Sequence, residues 1–238
     1  MNPVDQFRER YIQTYKDPSE RRQIVETGKI EEIISYMSGG YRAAAVFMAK
    51  AGLRREECCR VSVGDFDFDK NILFLRKSDL TRKRSNCRIP LDDQMIREVR
   101  EHWEERRARG ETLQSDSPAF ATERGCRLLG EKFRQQTEKA AVMAGVHHSG
   151  NDVPLCQRFT PHCFRHWMTT TLMERGMPVS YIDEIRGDIR KGSRETYHHI
   201  SDERLVETFR KFSPVLNIRG LLCGGVNRCC QKQRAWRN

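Results

Sequence analysis

Hydrophobic residues in the first part of the chain recur at helical spacing, and glycines interrupt them. The pattern predicts helices over residues 4–16 and 18–38, with breaks at Gly28 and Gly39–Gly40. The most apolar run, residues 41–53 (YRAAAVFMAKAGL), predicts a buried helix, because apolar side chains fill most of its positions. The stretch RREECCRV that follows predicts a second, short helix.

An alternation of apolar and polar residues then replaces the helical pattern. The stretch DFDFDKNILFLR, residues 65–76, predicts two short strands around a turn at Asp69–Asn71. Residues 86–91 (NCRIPL) predict a returning strand. We therefore expect the basic block 76–85 at the tip of a β-hairpin.

The rest of the chain is again helical in pattern, and capping residues set the boundaries. Asp92 or Asp93 is the expected N-cap of a long amphipathic helix that Gly110 ends. Thr160 is the expected N-cap of another helix, with Pro161 at its first position. The other predicted helices cover residues 129–144, 178–186 and 202–212, and a short one carries Tyr197. The sum is a mainly helical α+β fold with one small antiparallel sheet.

The charge balance narrows the choice of partner. The chain has 43 lysines and arginines against 33 acids, which gives a net charge of +10 and a pI near 9.3. Such a balance favours a polyanion, since clustered cations release counterions from a phosphate backbone. Residues 76–88 hold six cations and one aspartate, and residues 213–238 hold five cations and no acid. Acids and bases mix over residues 97–109, which is typical of a solvated charged surface.

The lengths of the apolar runs and the pattern of cysteines indicate the cellular compartment of the protein. No apolar run approaches the length of a membrane span, and residues 1–11 (MNPVDQFRERY) lack the apolar segment of a secretory signal. The nine cysteines are odd in number and show no C-x-x-C spacing, so we expect free, partly buried thiols. The sequence therefore predicts a cytoplasmic protein with no membrane partner and no metal site.

Basic side chains crowd the start of the helix at Thr160, where His162 and Arg165 lie three positions apart and share a face. An H-x-x-R pair is weak evidence alone, because chance pairs are common. Its companions make it informative. They are Arg54 in AGLRREE, Lys77 in the hairpin and Tyr197 in RETYHHI.

These motifs resemble those of the tyrosine recombinases, the phage-integrase family. GLR, with Glu57 three and Asp65 eleven residues after Arg54, is similar to the first arginine motif of the family. The KS after ILFLR is similar to its hairpin lysine, PHCFRHWMTT to its H-x-x-R-H segment, and TYHHI to its nucleophile box. The resemblance runs from about residue 28 to about residue 212. It implies the catalytic-domain fold of this family, the DNA breaking–rejoining fold.

The resemblance also implies a role for each site residue in the cleavage of a phosphodiester. Tyr197 would attack the scissile phosphate and give a 3′-phosphotyrosyl link with a free 5′-hydroxyl. Arg54 and Arg165 would bind non-bridging oxygens with a forked geometry that lysine cannot copy. Lys77 would protonate the leaving oxygen, and His162 would accept a proton or donate a hydrogen bond to the phosphate. Because the link keeps the bond energy, rejoining would need neither ATP nor another cofactor.

Several of these residues have plainer alternatives. Arg54 could be a helix-start arginine paired with Glu57. Lys83 competes with Lys77 for the lysine role, although Lys77 directly follows the strand as in the family. His166 is interpreted either as structural or as a support for a neighbouring site residue. The cations expected to contact DNA are Arg82, Lys83 and Arg84.

Asp188 departs from the family pattern. It stands nine residues before Tyr197, where the family usually has His or Trp. A carboxylate would repel a phosphate there unless a neighbour such as Arg186 or Arg190 neutralised it, so a catalytic role and a turn or capping role both stay open. The R-G-D variant resembles integrases of archaeal viruses and plasmids, and the His198–His199 pair could supply the missing imidazole.

We expect three segments: a short helical extension over residues 1–27, a catalytic domain over 28–213 and a basic, mobile tail over 214–238. The residues before 28 are too few for the separate DNA-clamping domain that relatives usually carry. We therefore expect weak DNA binding by this chain alone.

The leading functional hypothesis is a site-specific recombinase acting on double-stranded DNA, either an integrase or a resolvase of replicon dimers. The resemblance implies a tetramer on two duplexes, with the last helix or the tail docked on a neighbour and with room for accessory DNA-bending factors. Two alternatives stay open. One is a topoisomerase of the same chemistry, and the other is a DNA-binding relative that has lost catalysis.

Overall fold

The computed structural model describes residues 25–75, 88–150, 153–187 and 200–218. The helices in these ranges are α1 (Thr27–Ser35), α2 (Gly39–Ala51), α3 (Arg55–Arg60), α4 (Asp93–Ala108), α5 (Gly130–Met143), α6 (Pro161–Glu174), α7 (Val179–Arg186) and α8 (Asp202–Phe212). The strands are β1 (Phe66–Asp67), β2 (Ile72–Phe74) and β3 (Arg88–Pro90). The predicted α+β fold, mainly helical with one small antiparallel sheet, is confirmed.

Helix α2 lies at the centre of the core, as its apolar sequence predicted. Every residue from Ala43 to Ala51 is buried, and the helix packs against α4 and α6. It ends at Gly52, whose φ of 61° lies in the left-handed region that glycine adopts without strain. This sharp end directs the chain into α3 and so sets the position of Arg54.

The sheet has the strand order β1-β2-β3, and both neighbouring pairs are antiparallel. Asn71, with a φ of 54°, lies in the turn between β1 and β2. In the second pair Phe74 faces Arg88. The chain therefore leaves β2 and returns to β3 at this pair of residues, on either side of the predicted hairpin tip.

Glycines near the start of the described chain act differently from the prediction. Gly28 was expected to break a helix but lies inside α1. Gly40 was also expected in a break but is the second residue of α2. A Cβ at Gly40 would lie 2.1 Å from the carbonyl oxygen of Ala121, so this glycine permits close packing of two backbone segments.

The expectation that residues 97–109 form a solvated charged surface is wrong for one face of helix α4. One face of this helix is buried, and it includes His102 and Arg106. The guanidinium of Arg106 donates to Glu111 Oε2 at 2.9 Å and to the carbonyl oxygen of Pro118 at 2.6 Å. A buried charge is tolerated here because its partners lie in the loop after the helix, which the mixed charge pattern alone does not reveal.

The segment after α8 corrects the expectation that the chain is mobile from Pro214 onward. Leu216 and Ile218 are buried. The side chain of Gln94 binds the backbone of Leu216 twice, since Nε2 donates to the carbonyl oxygen at 2.8 Å and Oε1 accepts from the N–H at 3.0 Å. These contacts hold the first residues of the predicted tail on the domain, and residues 219–238 lie outside the described ranges.

The later helices are confirmed to within one or two residues at each end. Asp92 caps α4, because its Oδ1 accepts from the N–H of Met95 at 2.9 Å. Thr160 precedes α6 in an extended conformation, and Pro161 is the first helical residue. The predicted N-terminal helix over 4–16, the hairpin tip and the short helix around Tyr197 lie outside the described ranges. None of the helices described above is both long and apolar enough to cross a bilayer.

Candidate functional site

The first turn of α6 presents the two residues of the H-x-x-R pattern in different environments. His162 is exposed, whereas Arg165, nearly one turn further on, is only 3% exposed. The ring of His162 packs edge-on against the ring of His166, with the ring centroids 4.5 Å apart. This contact fits the structural role predicted for His166, because it orients an imidazole that lies at the surface.

Arg165 joins the ends of two other helices. Its Nη1 donates to the carbonyl oxygen of Gly52 at the end of α2. Its Nη2 donates to the carbonyl oxygen of Arg186 at the end of α7, at 2.9 Å. Carbonyl groups at helix C-termini lack intrahelical partners and carry partial negative charge, so a guanidinium is a favourable partner for them. A buried cation thus lies where α2, α6 and α7 meet.

Arg54 stands at the start of α3 and is held by Glu57. Oε2 of Glu57 accepts from the backbone N–H of Arg54 at 2.9 Å, and Oε1 accepts from its Nη1 at 3.1 Å. The Glu57 side chain has no exposed surface, whereas the Arg54 side chain is 20% exposed. The pairing named as the plainer alternative is therefore present. It is compatible with a phosphate-binding role, because a buried carboxylate fixes the orientation of a partly exposed guanidinium.

The two arginine motifs meet at Gly52. Arg165 binds its carbonyl oxygen, and Arg54 follows it by two residues, so the Cα atoms of Gly52 and Arg54 are at most about 8 Å apart. His162 lies on the same helical turn as Arg165. Two guanidinium groups and an imidazole in one neighbourhood provide positive charge and N–H donors that suit an anion with several oxygens.

Helix α7 ends at the same site. Its C-cap is Gly187, with a left-handed φ of 60°. The side chain of Arg186 donates from Nη1 to Thr169 Oγ1 at 3.2 Å, while its carbonyl oxygen accepts from Arg165. The two residues that precede Asp188 therefore lie at the arginine site.

The other predicted site residues fall in ranges that the structure does not describe. They are Lys77, Arg82, Lys83, Arg84, Asp188 and Tyr197. In the described ranges the two arginine motifs lie side by side, and the roles of all the predicted site residues stay predictions. Among the described residues, no group of three or more His, Cys, Asp and Glu side chains has the geometry of a metal site.

Arg88 has contacts that the sequence analysis missed. Its Nη2 donates to Glu184 Oε1 at 2.8 Å, and its Nη1 donates to Asp202 Oδ1 at 2.5 Å and to the carbonyl oxygen of Ile200 at 3.3 Å. In the sequence it is one of the six cations of residues 76–88. Its position in the apolar returning strand was the available signal, since a charged side chain there needs partners.

Two cysteines next to Arg54 are poor nucleophiles. Burial raises the pKa of Cys59 to about 12 and that of Cys58 well above its usual range. Both thiols therefore stay protonated at neutral pH, and a protonated thiol is a weak nucleophile. The cysteines of the described ranges are free, as the composition predicted.

The fold is that of a tyrosine recombinase catalytic domain. A crystal structure of XerA recombinase matches with a TM-score of 0.58 at 18% identity, over 84% of this chain and 66% of that one. The integrase of mycobacterium phage Brujita also gives 0.58 at 18% identity, over 91% of this chain and 65% of that one. XerH recombinase bound to its palindromic difH substrate gives 0.52 at 21% identity, over 80% and 51% of the two chains.

The chain belongs to the phage integrase family, whose family model matches residues 23–204. Among curated relatives, the tyrosine recombinase XerC of Corynebacterium glutamicum is 26% identical over 164 residues, which cover 68% of this chain and 47% of the relative. The tyrosine recombinase XerA of Pyrococcus horikoshii is 27% identical over 173 residues, which cover 71% and 54%. The chain thus spans about half the length of these relatives.

Proposed function

We propose that this chain is the catalytic part of a site-specific DNA recombinase that cleaves and rejoins strands through a 3′-phosphotyrosyl intermediate. One observation carries the proposal: Arg165 binds the carbonyl oxygens of Gly52 and Arg186. This contact sets the second arginine motif beside the first. Membership of the phage integrase family supports the same interpretation.

In the proposed reaction, the phenolate oxygen of Tyr197 attacks phosphorus and the bond from phosphorus to the 5′-oxygen breaks. Arg54 and Arg165 stabilise the negative charge on the non-bridging oxygens. Lys77 gives a proton to the 5′-oxygen, which leaves as a hydroxyl group. His162 accepts the phenol proton of Tyr197 or donates a hydrogen bond to the phosphate. A 5′-hydroxyl reverses the step, so neither a metal ion nor ATP is required.

Asp188 is assigned in this proposal to the phosphate pocket, at the place of the usual His or Trp. Arg165 contacts the carbonyl oxygen of Arg186, two residues before Asp188. A neutralised carboxylate at this place would act as a hydrogen-bonding group rather than as a repelling charge.

Double-stranded DNA is the proposed partner, with Arg82, Lys83 and Arg84 on its phosphates. The net charge of +10 supports this choice, as does the XerH structure, which is described as bound to its difH substrate. We extend the proposal to a tetramer on two duplexes that acts in the cytoplasm, where accessory DNA-bending factors would assist. The proposed catalytic domain begins near residue 28 and includes the packed segment up to Ile218.

A nicked suicide duplex tests the proposed function. To find the recognised sequence, the probe is a pool of such duplexes with randomised flanks, from which protein-linked DNA is isolated under denaturing conditions and sequenced. We expect wild-type protein to form a covalent adduct with an enriched sequence. Tyr197→Phe should form none, because it lacks the attacking oxygen.

The alternatives give different outcomes in the same experiment. An adduct that survives in Tyr197→Phe, or DNA binding without any adduct from the wild type, would overturn the proposal; the second outcome would favour the DNA-binding relative. Tyr197-dependent adducts without sequence enrichment, together with relaxation of supercoiled plasmid, would favour a topoisomerase.

A further inference from the structure

Arg88 is connected to both ends of the segment that carries Tyr197. Glu184, which its Nη2 binds at 2.8 Å, lies on α7 just before that segment. Ile200 and Asp202, which its Nη1 binds at 3.3 and 2.5 Å, lie just after it. Its side chain is 20% exposed, so the contacts form away from most of the competing water.

Arg88 also stands where the described chain resumes after the predicted hairpin that carries Lys77. It faces Phe74 across the pair of β2 and β3, and Lys77 follows Phe74 by three residues. The Arg88 guanidinium therefore connects three parts of the chain: the β2–β3 pair below the predicted hairpin tip, the last turns of α7 and the beginning of α8.

The chemistry of arginine suits this task. A planar guanidinium donates in several fixed directions, so it can hold two carboxylates and a carbonyl oxygen at set angles, whereas an ammonium group fixes no such geometry. Asp202 is additionally favoured at the start of α8, where its charge opposes the positive end of the helix dipole. The ends of the Tyr197 segment are thereby fixed to the sheet.

We propose that Arg88 is a positioning residue for the nucleophile. It does not touch the reacting phosphate in this assignment; it fixes both ends of the Tyr197 segment relative to the β2–β3 pair, so that the phenol meets the phosphate held by Arg54 and Arg165. The inference rests on the proposed function.

The test compares Arg88→Met and Arg88→Lys with the wild type on a nicked duplex that the wild type cleaves, at saturating protein. We expect Arg88→Met to lower the maximal cleavage rate by roughly 100-fold, because small misplacements of reacting groups have effects of that order. DNA affinity should stay within about threefold. Arg88→Lys should restore part of the rate, since lysine can still bind one of the carboxylates.

Arg210→Met is the matched control. Arg210 also bridges two side chains and a carbonyl oxygen, namely Asp93, Asn71 and Leu91, but it lies near the C-terminal end of α8, away from Asp202 at the start of that helix. It should change stability without a comparable loss of maximal rate. If the two methionine variants slow cleavage equally, or if Arg88→Met affects only DNA affinity, the positioning role is refuted.

A sulfur-substituted duplex separates the nucleophile from the acid. In a 5′-bridging phosphorothiolate the leaving group is a thiolate, which needs no proton because thiols have pKa values near 8.5. Sulfur should rescue Lys77→Ala but leave the defect of Arg88→Met in place. Full rescue of Arg88→Met by sulfur would show that Arg88 acts on proton donation by Lys77 and not on the nucleophile, and would overturn the proposal. Absence of any Tyr197-dependent adduct with the wild type would overturn the proposed function itself.

Should Arg88→Met fail to fold, Glu184→Gln provides the same test. It keeps an acceptor for Nη2 while removing one charge from the cluster. We expect a smaller fall of maximal rate, about 10-fold, again without rescue by sulfur. An unchanged rate in this variant, with the fold intact, counts against the role.

Discussion

The guanidinium of Arg165 donates a hydrogen bond to the carbonyl oxygen of Gly52, and the two residues lie 113 positions apart in the chain. This contact fastens the start of α6 to the end of α2. It also decides where Arg54 lies, because the chain enters α3 directly after Gly52. The geometry of the arginine site therefore depends on one glycine with a left-handed backbone.

Gly52→Ala should damage both stability and cleavage. A φ of 61° places the backbone where L-residues are strained, which destabilises by about 1–2 kcal/mol. The added Cβ would lie 2.1 Å from Cε of Met168 and 3.8 Å from Nη1 of Arg165. The flexible tip of Met168 must move, whereas Arg165 lies at an ordinary contact distance. We therefore expect cleavage to fall through repacking of the Met168 tip beside Arg165. Urea unfolding measures the first effect, and adduct formation with a suicide duplex measures the second.

Gly110→Ala is the control for Gly52→Ala. Gly110 has a φ of 87°, and no atom lies within 4 Å of the position that a Cβ would take, so it reports the backbone strain alone. It should lower the free energy of unfolding by a similar amount, about 1–2 kcal/mol, and leave cleavage unchanged. Equal losses of cleavage in both variants would show that Gly52 matters only for the strain of its backbone.

Glu57→Gln should slow cleavage without abolishing DNA binding. The amide keeps one acceptor for Arg54 but loses the charge that fixes the guanidinium. We expect a fall of about 10- to 100-fold in the rate of adduct formation, and about 100- to 1000-fold for Arg54→Ala, which removes the donor itself. Single-turnover cleavage at saturating protein measures both rates.

The neighbouring Glu56→Gln provides the comparison for Glu57→Gln. Glu56 pairs with Arg55 at 2.8 Å, and its side chain is 46% exposed. Loss of such an exposed pair has little effect. If both glutamine variants cleave at the wild-type rate, Glu57 does not orient Arg54 for the reaction.

Local signals explain which parts of the fold the sequence could predict. The buried helix α2 follows from a run of apolar residues, and the start of α4 follows from the capping side chain of Asp92. Glycines were less informative, since Gly28 lies inside a helix and Gly40 serves close packing. Where a residue acts through its near neighbours in sequence, the sequence pattern was enough to predict the structure.

Distant partners explain what the sequence could not predict. The expectation that the motifs of Arg54 and Arg165 lie together came from the family resemblance, because spacing alone predicts no contact between segments so far apart in the chain. The partners of Arg88 on α7 and α8 and those of Arg106 in the loop at Pro118 left no local trace. Buried charged residues look like surface residues until their partners are known.

His102 should make stability depend on pH. Burial, together with the nearby cations Arg106 and Arg109, lowers the pKa of His102 to about 4. Between these two values the unfolded chain, in which the pKa of His102 is near 6.5, binds more protons than the folded chain. The contribution of His102 to the free energy of unfolding therefore rises with pH through this window and is nearly fully present above pH 6.5. This residue alone should make the free energy of unfolding about 2 kcal/mol lower at pH 5 than at pH 7.

His102→Gln isolates this contribution. Nε2 of His102 accepts from the N–H of Ala121 at 3.3 Å, and the carbonyl oxygen of glutamine can accept the same bond without titrating. Urea unfolding at a series of pH values should give a flatter profile for the variant between pH 5 and 7. Parallel profiles would assign the pH dependence to other groups.

Lys50 should be essential for the attachment of the segment after α8. Its fully buried ammonium group contacts Asp92 Oδ2 at 2.8 Å, Gln94 Oε1 at 3.0 Å and the carbonyl oxygen of Pro214. Asp92 also accepts from Ser213 Oγ at 2.5 Å. Lys50→Met removes the cation and leaves a buried carboxylate without its charge partner, which should lower the free energy of unfolding by about 3–5 kcal/mol.

The double variant Lys50→Met, Asp92→Asn distinguishes lost attraction from an uncompensated charge. The neutral amide removes the buried negative charge and can still accept from Ser213, so the double variant should recover part of the stability that Lys50→Met loses. Urea unfolding of the wild type, the two single variants and the double variant gives the coupling between the two positions. If the double variant is less stable than Lys50→Met alone, Asp92 stabilises the domain chiefly as the cap of α4, and the ion pair contributes little to holding the segment after α8.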